Sequence, residues 1–592
     1  MAQISVRDNT QTYRISRWLG LNESPDGDTG LKLGEAAAMR NFRITRENHL
    51  QIRPGYAAVC TPVEGKPVRG LWRGYVGGTE HLLCACGGRL WDIDQNTWRA
   101  LDVGDIDDGP VSFFGFSQKV YLLTGSEYYA WDGYSPVAPV DGYAPIVATA
   151  VPPAGGGTLL ERVNILTGKK RAEFSPDGEA KVFQLPETEI SEVLYVDGTD
   201  IPWAEDRAAG TVTFSEVPPK GVNTVRITWR KGTGINRSLV TGMRFAETYN
   251  GEADSRVFLY GNGSNVCIYS DLDENGLPSA EYFPDLNEMA VDSQNTPITA
   301  LIRHHDSLLV FKPDGAFSAQ YAATTLEDGR VTAAFYCTAI NREIGNEALG
   351  QVKLIQNDPC TLFGRSVYRW KSAAYGVRTE RNCQRISDRV ENTLSGFDLA
   401  RCVVFDDEQR QEFYVCCDGA ALIHNYGNDT WYYYDHFPVT AMASVAGEIY
   451  FGTPSGEVMH FSRRYRNDAL ADIEAYWESG SMDFGAEHLR KYSANLWVAI
   501  KPESQSRVTV TAQSNRKSDY MEKEVTYGLA SFQNANFAHW AFGTNRKPQV
   551  QRVRMKVKKF TFYKLIFRSV SASATATVLG VDFQVRHTGN VK

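Results

Sequence analysis

A chain of 592 residues exceeds the size at which one hydrophobic core keeps growing, so several domains or one large repeat array are expected. Hydrophobic content of 43% with 12% aromatic and 22% charged residues excludes a disordered chain, and 29 Tyr, 28 Phe and 12 Trp beside 51 Gly favour strands packed face to face over helix bundles. A formal net charge of −8 argues against a dedicated nucleic-acid-binding protein while leaving room for a local basic surface.

The first residues, Met1 to Asp8, lack an apolar core of signal-peptide length, and no later run reaches the ~18 apolar residues of a membrane span. A chain made in a cytoplasm, with no membrane-spanning segment, is the expectation. Trp18-Leu19-Gly20-Leu21-Asn22, Leu33-Gly34-Glu35-Ala36, Asn41-Phe42 and Leu50-Gln51-Ile52-Arg53-Pro54-Gly55-Tyr56 read as an opening strand, a carboxylate-bearing turn and a second strand closed by Pro-Gly. Short aromatic strands follow. Val68–Arg73, His81–Cys86, the turn Gly87-Gly88, Arg89–Ile93 and Trp98–Leu101 make one four-stranded unit, and Val111–Phe116, Val120–Thr124 and Tyr128–Gly133 begin a second.

The repeat breaks at the turn-rich Val151-Pro152-Pro153-Ala154-Gly155-Gly156-Gly157, and the strands between 159 and 231 read as a small inserted β-sandwich. Contact with a neighbouring subunit is the role expected of it. Repeat-like strands resume at Arg256–Tyr260 and run through Leu308–Phe311, Thr361–Gly364 and Cys402–Phe405 to Gly456–Phe461. After Arg463-Arg464-Tyr465-Arg466 the pattern changes to longer strands of period two, including Ser493–Ile500, Arg507–Ala512, Arg552–Phe560 and Phe562–Arg568. The expected architecture is all-β: a β-propeller of about six blades with an inserted small β-sandwich and a C-terminal β-sandwich. Residues 1–60 are expected to supply strands completing the propeller, 61–150 and 233–468 its blades, 151–232 the insertion and 469–592 the C-terminal sandwich.

The order "GLN…L..GEA…NF…L..RPGY" near the start, with "W.SG..DFG" from Trp477 to Gly485, resembles the β-propeller tail proteins of tailed bacteriophages, the packaged-DNA-stabilisation and tail-nozzle families. The resemblance covers both flanks of the insertion and not the insertion itself. It implies a virion structural protein in the phage tail, made in the bacterial cytoplasm and assembled as a homo-oligomeric, six-fold ring at the portal-distal end of the DNA channel. Implied partners are the portal or adaptor, further tail proteins, and DNA in transient non-specific contact.

The motifs that carry chemistry are weak. His304-His305 with Asp306 precedes an apolar strand, and neighbours in a strand point to opposite faces, so a turn-exposed pair is favoured over a metal site. Asp271-x-Asp273-x-Asn275-Gly276 matches half of a calcium loop but places Tyr282 where a bidentate Glu belongs, and reads as an Asx-rich turn. Ten scattered Cys read as buried reduced thiols. No nucleophile elbow, P-loop or dinucleotide fingerprint is present, so no catalytic, cofactor or metal residues are assigned and a non-enzyme is expected. The strongest electrostatic feature is Arg552-Val553-Arg554-Met555-Lys556-Val557-Lys558: period two puts Arg552, Arg554, Lys556 and Lys558 on one face of a strand. That stripe fits either contact with a phosphate backbone or a solvated edge strand guarded by charge. The rival function is a carbohydrate-binding or carbohydrate-cleaving propeller in host-surface recognition, with Trp72, Trp91, Trp131 and Trp431 as stacking platforms. A WD40-like scaffold is disfavoured by irregular unit lengths, although Trp91-Asp92 and Trp131-Asp132 are partial matches.

Overall fold

Two-residue turns with both residues in the left-handed region recur along this chain: Gly77-Gly78, Gly87-Gly88, Ser117-Gln118, Gln356-Asn357, Gly364-Arg365, Asp418-Gly419 and Ala446-Gly447. Such turns match the twist of two antiparallel strands, so each folds the chain back into a tight hairpin. The structure, a computed structural model, describes residues 10–24, 29–249, 255–305, 307–325, 331–371, 382–503, 505–517, 522–527 and 547–590. Among these the hairpins build seven four-stranded antiparallel sheets, where the sequence reading favoured six.

Sheet I comprises Val68–Val76, Thr79–Cys86, Arg89–Asp94 and Arg99–Asp105; sheet II runs from Ser112 to Pro139, sheet III from Phe245 to Ala290 and sheet IV from Ala300 to Asn341. Sheet V spans Lys353 to Arg385 and sheet VI Val403 to Tyr434. Sheet VII takes Ala441–Val445, Glu448–Gly452 and Val458–Ser462 and is completed from the other end of the chain by Gly55–Cys60, paired antiparallel to Val458–Ser462. The leading strands touch in order: I meets II, II meets III, III meets IV, V meets VI, VI meets VII, and Ala441–Val445 of VII meets Val68–Val76 of I. Between IV and V the contact is from Ala300–His304 to the second strand of V, Asp358–Phe363. Separate apolar clusters fill the spaces between VII and I, I and II, II and III, III and IV, and IV and V.

Among the described residues of the N-terminal sixty, only Gly55–Cys60 closes a four-stranded sheet. The expectation that all of 1–60 does so is corrected by the pairing of the other strands. Thr10–Ile15 and Leu50–Ile52 pair with Thr577–Asn590, and Glu35–Arg40 pairs with Ile473–Ser479. Two six-stranded sheets result, each drawing strands from both ends of the chain. Their shared core is apolar: Trp18, fully buried, meets Trp477 edge-on at 4.8 Å and Phe567 at 5.8 Å, with Leu496, Val510, Val557 and Phe583 around them.

The insertion forms a five-stranded sheet facing a three-stranded one around Phe174, Phe183, Phe214 and Trp229. Its first strand, Ile146–Val151, starts a few residues ahead of the expected boundary. Asn164 fastens the unit to sheet III: its Nδ2 donates to the carbonyls of Tyr143 at 2.9 Å and Glu281 at 2.8 Å, while its Oδ1 accepts from the Phe283 amide at 3.0 Å.

Candidate functional site: a basic sheet face and a charged centre

Gln549–Phe560 alternates as expected. Val553, Met555 and Val557 are buried, and Arg552, Arg554, Lys556 and Lys558 are exposed on the opposite face. Among the described residues this strand pairs only with Leu489–Ile500, so it is an edge. No carboxylate of the described residues lies within ion-pair distance of the four cations; the Arg552 Nε donates to Asn495 Oδ1 at 3.0 Å.

Register decides what surrounds the stripe, and sequence reading missed those neighbours. Trp497 sits opposite Arg552, Asn495 opposite Arg554 and Tyr492 opposite Lys558. On its other side Tyr492 faces Arg586 of Thr577–Asn590, and Trp497 faces Asp582. Asp582 in turn lies 3.5 Å from Arg14. The outer face of this sheet therefore carries cations on three strands with two half-buried aromatic rings among them.

A second cluster lies where the leading strands of sheets III to VI converge. Burial raises the carboxyl of Glu247 to about 7 against the pull of Lys353 and Arg303, and the Arg303 amide donates to Glu247 Oε1 at 3.3 Å. Burial, reinforced by the negative charge of Glu408, raises Asp406 to about 7 as well. Lys353 falls below the usual lysine range because its ammonium is desolvated, with Glu247 and Asp406 pulling the other way. Its surface is nonetheless open to solvent, which is the condition of a side chain walled by protein without being covered. These four residues are isolated letters in four separate strands, and no sequence signal joins them.

The other sequence candidates resolve into structural roles. His304 is buried rather than turn-exposed, 3% accessible, with both ring nitrogens lacking a hydrogen-bond partner among the described residues. His305 occupies the turn at φ 53°, its ring 4.4 Å from that of His304, and Asp306 lies outside the described residues. Burial, then the neighbouring His305, lowers the pKa of His304. Asp271 pairs with Arg256 and accepts from the Leu272 amide at 2.8 Å, while Asp273 Oδ1 accepts from the amides of Asn275 and Leu277, each at 2.9 Å. This is the hydrogen bonding of an Asx turn. All ten Cys are free thiols, eight of them buried. The Trp indoles are engaged internally: Trp431 stacks on His424 at 4.6 Å and donates to the Ile386 carbonyl at 3.0 Å, Trp131 donates to Ser135 O at 2.8 Å, Trp91 to Cys86 O at 3.1 Å, and Trp72 covers Gly74 and stacks on Phe113.

The opening motif, by contrast, converges on one buried polar joint. The Arg53 guanidinium donates to Asn41 Oδ1 at 2.8 Å, to Pro54 O at 3.0 Å, to Asp435 O at 3.1 Å, and to both oxygens of Asp468 at 2.8 and 2.5 Å. Asn41 Nδ2 donates to the Asp435 carboxylate and to Glu474 O. One strand further on, Arg43 meets Glu412 at 3.0 Å, and Glu412 also accepts from Tyr414 at 2.7 Å and Tyr432 at 2.6 Å. Gly55 admits no side chain there, since a Cβ would stand 2.0 Å from Asn467 O. Beside this joint a shallow cavity of about 420 Å³ is lined by Leu21, Glu23, Met39, Arg40, Thr393 and Tyr433. Glu23 is engaged by Thr393, whose amide donates at 2.9 Å and whose hydroxyl donates at 2.6 Å.

No protein-family model matches the chain, and no curated protein does. Among solved structures, the computationally designed Ika8 protein is similar at 9% identity and a TM-score of 0.34, over 68% of this chain and 99% of that one. The extracellular domain of BT4673 from B. thetaiotaomicron is similar at 8% identity and a TM-score of 0.19, over 90% of this chain and 82% of that one. No helix among the described residues is long and apolar enough to cross a membrane.

Proposed function

We propose that the seven four-stranded sheets form a seven-bladed β-propeller and that the protein is a non-enzymatic structural part of a phage tail. In this reading it forms a homo-oligomeric ring, six-fold by the resemblance, at the portal-distal end of the DNA channel, where it retains DNA and docks further tail parts. One observation carries the propeller: the sheets touch in a cycle that returns from VII to I, leading strand on leading strand except from IV to V, where the leading strand of IV meets the second strand of V, and the last sheet is completed by Gly55–Cys60. Radial repetition leaves short, protected edges and makes a stiff block with wide lateral faces. The tail assignment rests on the resemblance of the opening motif, whose Asn41, Arg53, Pro54, Gly55 and Tyr56 lie together in one buried joint. Burial of Trp131 and Trp431 and the internal contacts of the half-buried Trp72 and Trp91 favour this reading over the glycan rival.

A ring needs heterologous contacts, one face of each subunit meeting a different face of the next. The insertion offers Leu159, Leu160 and Tyr195, exposed at 86%, 59% and 63%. Purified full-length protein is expected to give closed rings in negative-stain images and one discrete oligomer by mass photometry, which Leu159→Asp with Leu160→Asp disperses. A monomer at tens of micromolar would overturn the ring.

A further inference from the structure

We infer that the outer face of the C-terminal sandwich, built by Gln549–Phe560, Leu489–Ile500 and Thr577–Asn590, binds the phosphodiester backbone of DNA. This deepens the tail reading, which supplies its biological setting, and it rests on residues other than the insertion contacts proposed for the ring.

Spacing is the first argument. Alternate strand residues stand about 6.8 Å apart, so Arg552 to Lys558 spans about 20 Å. One DNA strand carries a phosphate about every 3.4 Å along the helix axis, so a row of four cations over this length lies within reach of several phosphates where the backbone crosses it. Charge is the second argument. In a chain of net charge −8, Arg89, Arg171, Arg226, Arg256 and Arg369 all pair with carboxylates, whereas the four stripe cations have none among the described residues. The one carboxylate in the adjoining rows, Asp582, already faces Arg14.

Edge protection explains charge on the edge strand but not beyond it. Here the basic character continues inward across Tyr492 to Arg586, two strands from the edge. Trp497 and Tyr492 lie between cation rows, where a ring can stack on an unpaired base or pack against a sugar. An acidic face of a second subunit would answer the charge as well, and the test below separates the two.

The test is fluorescence anisotropy of the full-length protein with labelled 30-nucleotide duplex and single-stranded DNA, from 50 to 150 mM NaCl. Four phosphate contacts predict slopes of about −3.6 for duplex and about −2.8 for single strand in log affinity against log salt, a loss of roughly twenty- to fifty-fold over this range. Replacing Arg552, Arg554, Lys556 and Lys558 together by Gln should abolish most of the salt dependence. Single changes Arg554→Gln and Lys556→Gln should each reduce the slope by about one, which keeps the test open if the fourfold variant misfolds. Quenching of Trp497 fluorescence by single strand alone, lost in Trp497→Leu, would place bases on the ring. The inference falls if wild-type protein binds neither DNA at 50 mM salt, if the fourfold variant keeps the wild-type slope, or if dextran sulfate binds and DNA does not. It falls equally if the fourfold variant binds DNA normally but loses the oligomer, which makes the stripe a subunit contact. Ring formation is scored separately, so a ring that ignores DNA overturns this inference alone, and a monomer that binds DNA overturns the ring alone.

Discussion

Replacing Arg53 by Met tests whether the opening motif is the latch of the fold. The side chain is fully buried and makes five hydrogen bonds that join Asn41, Asp435 and Asp468, hence the sandwich, the end of sheet VI and the segment after sheet VII. Met fills much of the volume but leaves the Asp468 carboxylate, 5% accessible, without a counter-charge. Removing one partner of a buried ion pair costs about 3–5 kcal/mol. Protonation limits that cost: burial already lifts the Asp468 carboxyl above its usual range against the pull of Arg53, and loss of Arg53 lifts it further. A carboxyl with a raised folded pKa holds its proton longer in the folded state, so stability falls as pH rises through the window and the penalty is complete above it. The deficit of Arg53→Met should therefore be larger at pH 8 than at pH 5.5. A single unfolding free energy is poorly defined for a chain of this size, so the readout is hydrogen exchange at the amides of Gly55–Cys60 and Val458–Ser462. Protection there should fall by about two to nearly four orders of magnitude, at 1.36 kcal/mol per tenfold. The double variant Arg53→Met with Asp468→Leu should recover much of the loss. A loss under tenfold, or a double variant no better than the single, would refute the latch.

Three further outcomes follow from the same structure. Glu247→Gln removes a carboxyl whose pKa is raised to about 7, so it should stabilise the protein by about 1–2 kcal/mol at pH 8 and have no effect near pH 4.5; the estimate is held below the full shift because Lys353 loses its partner. Melting temperatures of variant and parent across pH check this, and a gain that is constant with pH would contradict it. Trp18→Ala empties the centre of the sandwich and should cost about 3–5 kcal/mol, seen as a lowered melting transition, while seven-sheet contacts away from it keep their exchange protection. Burial raises the thiols of Cys84, Cys267 and Cys416 well above the usual range, and lifts Cys337 to about 12 and Cys383 to about 11. Native protein at pH 8 should react slowly with a disulfide reagent, Cys337 and Cys383 first; rapid reaction at Cys84 or Cys267 would show that the core opens.

Period-two alternation made the class and the C-terminal strands legible, because burying one face of a strand writes itself into every second residue. The count of sheets was harder. Sheet V opens with the three-residue strand Lys353–Ile355, and its hairpin turns on Gln356-Asn357, a pair without glycine. Such residues adopt positive φ only because the flanking strands impose it, so the signal is tertiary. The destination of the N-terminal strands was illegible for a related reason: Thr10 pairs with Arg586 and Gln51 with Thr577, and strands this short fit any exposed edge. Likewise the stripe from Arg552 to Lys558 needed only alternation, whereas Tyr492, Trp497 and Arg586 needed register, which depends on bulges between Ser493 and Asn495.

Closure from both ends gives the fold its mechanical logic. The sequence pattern changes after Arg463-Arg464-Tyr465-Arg466, and at this junction the Gly55 amide donates to Tyr465 O and the Tyr56 amide to Asn467 O, each at 3.0 Å. The Asn41 amide donates to Tyr433 O of sheet VI at 2.9 Å, and Arg53 N–H donates back to Asn41 O at 2.9 Å. Between Asn41 and Cys60 the chain thus leaves the sandwich, clasps the ends of sheets VI and VII, and becomes the closing strand of VII. A sandwich held only by a flexible linker would swing, because few contacts cross such a boundary. Here sheet VII cannot lose its fourth strand without disturbing the Arg53 joint, and the sandwich cannot shed Leu50–Ile52 without pulling on the same segment. Load applied to either body passes to the other through buried hydrogen bonds and one ion pair, which is the stiffness that the proposed ring would require.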